Sequence, residues 1–129
     1  MARKSENKQS SELFKPLMRK GWWVRKMHGN IYQPGILDYQ LCRPCDGMFM
    51  ALEMKQSASK RNEYLQLDVI AMLKGAQVGT FKQLITYHAR VGIVLLTPSG
   101  IHFVRPPLKL QGPAEQYSSD TFLEALEEW

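Results

Sequence analysis

The sequence predicts a mixed α/β domain, with one central β-sheet and helices packed against it. Three observations lead there. Met48 to Lys55 alternates with a period of two, placing Met48, Met50, Leu52 and Met54 on one face and Phe49, Ala51, Glu53 and Lys55 on the other. Apolar, β-branched runs bounded by turn residues recur near Ile36–Cys42, Ile93–Thr97 and Ile101–Val104. Stretches with apolar residues at helical spacing stand before, between and after these runs.

Taken in order, residues 1–9 are polar and charged and read as a flexible basic arm, which leaves residues 10–129 as a single domain. Ser10 and Ser11 are N-cap candidates for a helix near Glu12–Lys20, with Leu13, Phe14 and Leu17 on its apolar side. Pro16 complicates that helix and Gly21 ends it. A strand is expected over Trp22–Met27, then turns at His28-Gly29-Asn30 and Gln33-Pro34-Gly35. Ile36–Cys42 is the second strand, and the Asp-Gly pair in Arg43–Gly47 supplies the hairpin turn into the third, Met48–Lys55. A helix is expected over Lys60–Lys74, with core candidates Leu67, Ile70, Met72 and Leu73, stopped by Gly75. Ile93–Thr97, the turn Pro98-Ser99-Gly100 and Ile101–Val104 form a second hairpin, and Ser119 or Asp120 caps a last helix through Trp129.

The chain has 129 residues, which suits one domain able to bury about two-thirds of its unfolded surface. No apolar run approaches the ~18 residues of a membrane span, so no membrane partner is expected. The opening residues lack an apolar signal core, and two cysteines make no disulfide framework, so the chain reads as cytoplasmic. Net charge is +5, but residues 1–28 alone carry eight basic against two acidic side chains, while from Pro113 onward there are five acidic side chains and no Lys or Arg. A basic front end suits DNA or RNA through phosphate neutralisation. A simple solubility pattern would look the same.

The hairpin makes the second and third strands antiparallel neighbours and brings Asp38 to the end of the sheet that carries Glu53 and Lys55. Two carboxylates at one point repel and need a cation, and hard oxygen ligands with room for water suit Mg²⁺ or Mn²⁺. Such an ion binds a scissile phosphate and lowers the pKa of a bound water. A lysine two residues from the glutamate faces the same way and can offset developing charge. The plainer alternatives are a solvent-facing Asp38 and an exposed Glu53–Lys55 pair worth little to stability.

Gly35-x-x-Asp38, fourteen residues, Glu53-x-Lys55 and a downstream Gln66 together resemble the PD-(D/E)xK nuclease superfamily. The likeness is nearest the branch holding the VRR-NUC domains and the Holliday-junction resolvases of archaea and phages, and it covers roughly Ser11 to Pro106. It implies a restriction-endonuclease-like core and a Mg²⁺- or Mn²⁺-dependent DNA endonuclease. The implied enzyme is selective for junction or branched DNA, acts as a homodimer, and suits a phage or its bacterial host cell. By carry-over, Asp38 and Glu53 are metal ligands with the Met54 backbone carbonyl, Lys55 is the catalytic lysine, Glu12 is an outer metal or water contact, and Gln66 is a positioning residue. Leu37 stands before Asp38 where proline is frequent, with Pro34 earlier, and Pro16 leaves the placement of Glu12 open.

Lys60, Arg61 and the arm residues Arg3, Lys4 and Lys8 are candidates for holding a nucleic-acid backbone. Glu12 could instead serve only the helix N-terminus, Gln66 could be a partly buried amide, and Lys60-Arg61 a solvated helix start. Cys42-x-x-Cys45 lacks the second ligand pair of a structural zinc site, and His28, His88 and His102 show no ligand spacing. Trp22 and Trp23 read as core and interface rather than as base-stacking platforms. No phosphate-cradling glycine loop is present. A non-catalytic nucleic-acid-binding module on the same fold and an RNA-directed nuclease are the rival readings.

Overall fold

The computed structural model describes residues 6–27 and 35–129. Six strands form one mixed sheet, and their order across it is their order in the chain. They are β1 Trp23–Lys26, β2 Tyr39–Cys42, β3 Phe49–Gln56, β4 Arg90–Thr97, β5 Gly100–Val104 and β6 Glu115–Tyr117. All neighbours are antiparallel except β3 and β4. A parallel pair needs a crossover, and residues 57–89 provide it with helices α2 (Gln66–Ile70) and α3 (Gly75–Thr86). The other helices are α1 (Glu6–Arg19) and α4 (Ser119–Glu128). This is the mixed α/β architecture that the sequence predicts.

The period of two in β3 sorts the core. Met50, Leu52 and Met54 pack with Phe14 and Leu17 of α1 and with Phe122 and Leu126 of α4. Ala51 packs on the other face with Val69 of α2, Phe81 of α3, Ile93 and Leu95. Both faces of the β3–β4 centre are therefore covered, as a parallel pair requires. Among the described residues no helix is long and apolar enough to cross a membrane.

Several boundaries differ from expectation. Helix α1 begins at Glu6 and runs through Pro16, so residues 6–9 of the expected arm are helical and Ser10 lies buried inside the helix. Strand β2 begins only at Tyr39, because the Asp38 N–H donates to the Glu53 side chain instead of a strand partner. The expected helix over Lys60–Lys74 shrinks to Gln66–Ile70. Residues before it are held extended by a bridge between Leu65 and Pro113 and by the Arg61–Asp68 ion pair at 2.6 Å. Gly75 starts a helix rather than stopping one. The cap of α4 is Ser118, whose Oγ accepts from the Thr121 N–H at 3.2 Å.

Gly35 sets the approach to Asp38. Its φ is +88°, and a Cβ there would lie 2.5 Å from Thr80 Oγ1 and 2.7 Å from the Ala76 carbonyl oxygen. Only glycine lets this segment lie so close to α3 in a left-handed conformation. Asp38 follows three residues later.

Candidate active site

Glu53 is the centre of the site. It is 2% exposed, on the β3 face that meets α3. A buried carboxylate must be hydrogen-bonded or neutralised, and here both oxygens are engaged. Oε1 accepts from the Asp38 N–H at 3.1 Å. Oε2 accepts from Gln77 Nε2 at 2.7 Å and lies 3.3 Å from Lys55 Nζ. Asp38 is held in turn by the Met54 N–H, which donates to its Oδ2 at 3.0 Å. The Asp38 carbonyl accepts from the Met27 N–H at 2.7 Å, tying the segment to the end of β1.

The electrostatics follow from this packing. Burial, and then the charge of Asp38, push the Glu53 carboxyl up to about 7, against the pull of Lys55 and of the Asp38 N–H. Two adjacent carboxylates, one of them desolvated, leave negative charge that a single lysine does not fully offset. Among the described residues no cluster of three or more His, Cys, Asp or Glu side chains is grouped for a metal. Asp38 and Glu53 are thus two hard oxygen donors, with a strand-end backbone beside them. That donor set fits Mg²⁺ or Mn²⁺, which take one or two carboxylates and keep several waters, and does not fit zinc.

Gln77 is the residue at the candidate site that sequence reasoning missed. It stands in the first turn of α3, and its Oε1 accepts from the Lys74 N–H at 3.0 Å and from Lys55 Nζ at 3.2 Å. One amide therefore caps the helix and fixes both charged side chains of β3. Val78, Phe81, Leu84 and Ile85 recur at helical spacing around it, and that period was the available signal. Gly75 and Gly79 obscured it.

The structure joins Asp38, Glu53 and Lys55 and leaves Gln66 elsewhere. Gln66 accepts from the Lys109 N–H at 3.0 Å and donates to the Pro113 carbonyl at 3.4 Å, so it fastens the 109–113 loop. Glu12 lines a cavity of about 390 Å³ with Leu96, Thr97 and Asp120, on the sheet face opposite Glu53. It is Gln9, almost one turn earlier, that meets the end of β3, accepting from Gln56 Nε2 at 2.7 Å. Lys60 and Lys8 are exposed. Arg61 is engaged locally by Asp68, by the Glu63 carbonyl and by the Tyr64 ring 4.5 Å away. Arg3, Lys4 and His28 lie outside the described residues. Cys42 and Cys45 are free thiols. His102 is buried, its Nε2 within hydrogen-bonding distance of the Thr97 and Ser99 hydroxyls, and burial holds its pKa below the usual value.

No family model matches the chain, and no curated protein matches it. Among solved structures it is similar to Hjc of Archaeoglobus fulgidus, a Holliday junction resolvase from an archaeal hyperthermophile. The TM-score is 0.53 at 13% identity, over 90% of this chain and 92% of that one. At that identity the likeness speaks for the fold, which is restriction-endonuclease-like.

Proposed function

We propose that this chain is a divalent-metal-dependent DNA endonuclease, selective for branched or junction DNA and active as a homodimer. The observation that carries the reading is the buried Glu53 carboxylate. Its two oxygens are shared among the Asp38 backbone, Gln77 and Lys55, at the end of a sheet whose other charged neighbour is the Asp38 side chain. The fold likeness to a protein described as a Holliday junction resolvase supports junction DNA as the substrate class. The basic segment 1–28 supports binding to a polyanion.

In this reading Asp38, Glu53 and the Met54 carbonyl hold Mg²⁺ or Mn²⁺. When bound, the metal supplies a water of lowered pKa and neutralises charge on the phosphate. Glu53 must give up its proton to act as a ligand, and Lys55 and the Asp38 N–H favour the ionised form. Lys55 also presents an ammonium beside the carboxylates, where charge grows on the phosphate oxygens. Gln77 braces the Lys55–Glu53 ion pair, its Oε1 accepting from Lys55 Nζ and its Nε2 donating to Glu53 Oε2. Positioning of this kind passes from Gln66, which sequence reasoning favoured, to Gln77.

The test is cleavage of labelled four-way junction, flap, linear duplex, single strand and a matched RNA duplex, with Mg²⁺, Mn²⁺ or EDTA. Wild type is run beside Asp38→Asn and Lys55→Ala. Metal-dependent cutting of junction or flap that both substitutions abolish is the expected result. Full activity in Asp38→Asn would remove Asp38 from the site, and preference for RNA would reassign the substrate. Binding without cutting in every lane would leave the non-catalytic module.

A further inference from the structure

The face of the sheet that carries Glu53 continues past the site into an aromatic patch that the chemistry above does not use. In the strand register Trp23 lies opposite Cys42, and Cys42 opposite Phe49. Trp23 and Phe49 meet across them with ring centroids 6.5 Å apart. They remain 43% and 49% exposed, while the neighbouring Trp22 is 6% exposed in the core. Arg25, two residues along β1 and therefore on the same face, sets its guanidinium 5.4 Å from the Trp23 ring centre. Phe49 and Glu53 are four residues apart on β3, also on one face. That is about 14 Å at ~3.4 Å per residue, or roughly four stacked nucleotide steps. Between them an open apolar pocket of about 200 Å³ runs from Phe49 past Gln40 and Ala51 to Leu37, beside α3.

We infer that Trp23 and Phe49, with Arg25, form a stacking platform for unpaired bases of the nucleic acid whose backbone enters the candidate active site. The inference rests on the nucleic-acid reading above and adds what the adjoining surface recognises. Flat exposed rings with a cation on top match a base with its phosphate, because every base has a π-face and stacking is indifferent to sequence. A second copy of this chain fits less well. It would bring the same basic strand, and like charges across a contact oppose association. Trp23 and Arg25 also belong to the segment of densest positive charge, residues 1–28. A branched substrate offers unpaired or unstacked bases close to the backbone that is cut, whereas an intact duplex does not.

The experiment measures binding in EDTA, so that cleavage does not intervene. The probes are a single-stranded oligonucleotide carrying 2-aminopurine and a blunt duplex of the same sequence. Wild type is compared with Trp23→Ala, Phe49→Ala and the conservative Trp23→Phe. Trp23→Ala should weaken single-strand binding by about 5- to 100-fold and remove the change in 2-aminopurine emission. Duplex binding should stay within about twofold, and Trp23→Phe should retain most of the single-strand affinity. Phe49→Ala should act in the same direction as Trp23→Ala. Unchanged single-strand affinity in both alanine variants would overturn the platform. So would a change in sedimentation with no change in binding, which would make the patch a contact between copies. Wild type that holds neither probe at low salt would overturn the nucleic-acid reading itself, and the platform with it.

Discussion

Replacing Glu53 by glutamine should make the metal-free protein more stable at alkaline pH and less stable at acidic pH. The wild-type carboxyl ionises near 7 instead of near 4.5, chiefly because it is buried and secondly because Asp38 is beside it. A folded-state pKa above the unfolded one means that the folded protein holds the proton more tightly. The resulting stability is fully present below about 4.5 and is lost as pH rises through about 7. The interval from 4.5 to about 7, at ~1.36 kcal/mol per pH unit, corresponds to about 3 kcal/mol. Glutamine at 53 can still accept from the Asp38 N–H, but its amino group then faces Gln77 Nε2, so one hydrogen bond is lost at a cost of about 1 kcal/mol. The balance is a gain of about 2 kcal/mol at pH 8.5 and a loss of about 1 kcal/mol at pH 4.5. For a domain of this size the alkaline gain raises Tm by roughly 5–10 °C. Thermal unfolding of both proteins in EDTA across this pH range is the assay. Added Mg²⁺ should raise the Tm of wild type and leave that of the variant where it was. A Glu53→Gln protein less stable than wild type at every pH would refute the reasoning, because Glu53 would then be a net stabiliser when charged.

Three other outcomes follow from the geometry. Gln77→Ala should lower cleavage or metal affinity by about 10- to 100-fold, while Gln66→Ala should change either by less than about threefold, and a Mg²⁺ titration of cleavage separates them. Gly35→Ala should cost about 1–3 kcal/mol in urea unfolding, since its Cβ meets the Ala76 carbonyl at 2.7 Å in a left-handed backbone, and the shift of Asp38 should lower activity as well. Arg43 is 7% exposed, and its Nη1 donates to the carbonyls of Leu126, Glu127 and Trp129. Arg43→Ala should therefore destabilise by about 2–4 kcal/mol in the same measurement while leaving metal dependence intact.

The part of the fold legible in the sequence was the part governed by short-range periodicity. The alternation in Met48–Lys55 correctly separated the Met50–Leu52–Met54 face from the Glu53–Lys55 face. Asp46-Gly47 correctly paired β2 with β3 and so brought Asp38 to Glu53. The crossover was harder, because tertiary contacts decide it. Residues 60–65 have the composition of a helix, yet Tyr64 is buried and Leu65 bridges to Pro113, some fifty residues away. Helix α3 carries two glycines that look like breakers, and burial of Phe81 outweighs them. Once α3 was missed, Gln77 was out of reach, and Gln66 took its place as the nearest amide on an expected helix. Strand β6 is three residues long and pairs with an edge, too short for a pattern to show.

The most direct measurement is single-turnover cleavage of a labelled four-way junction in Mg²⁺ and in EDTA, with wild type beside Glu53→Gln after both are shown to be folded. Cleavage by wild type in Mg²⁺ alone, and none by the variant under either condition, is the expected result. Cleavage that persists in EDTA, or that survives in Glu53→Gln at the wild-type rate, would contradict a metal-dependent nuclease centred on Asp38, Glu53 and Lys55.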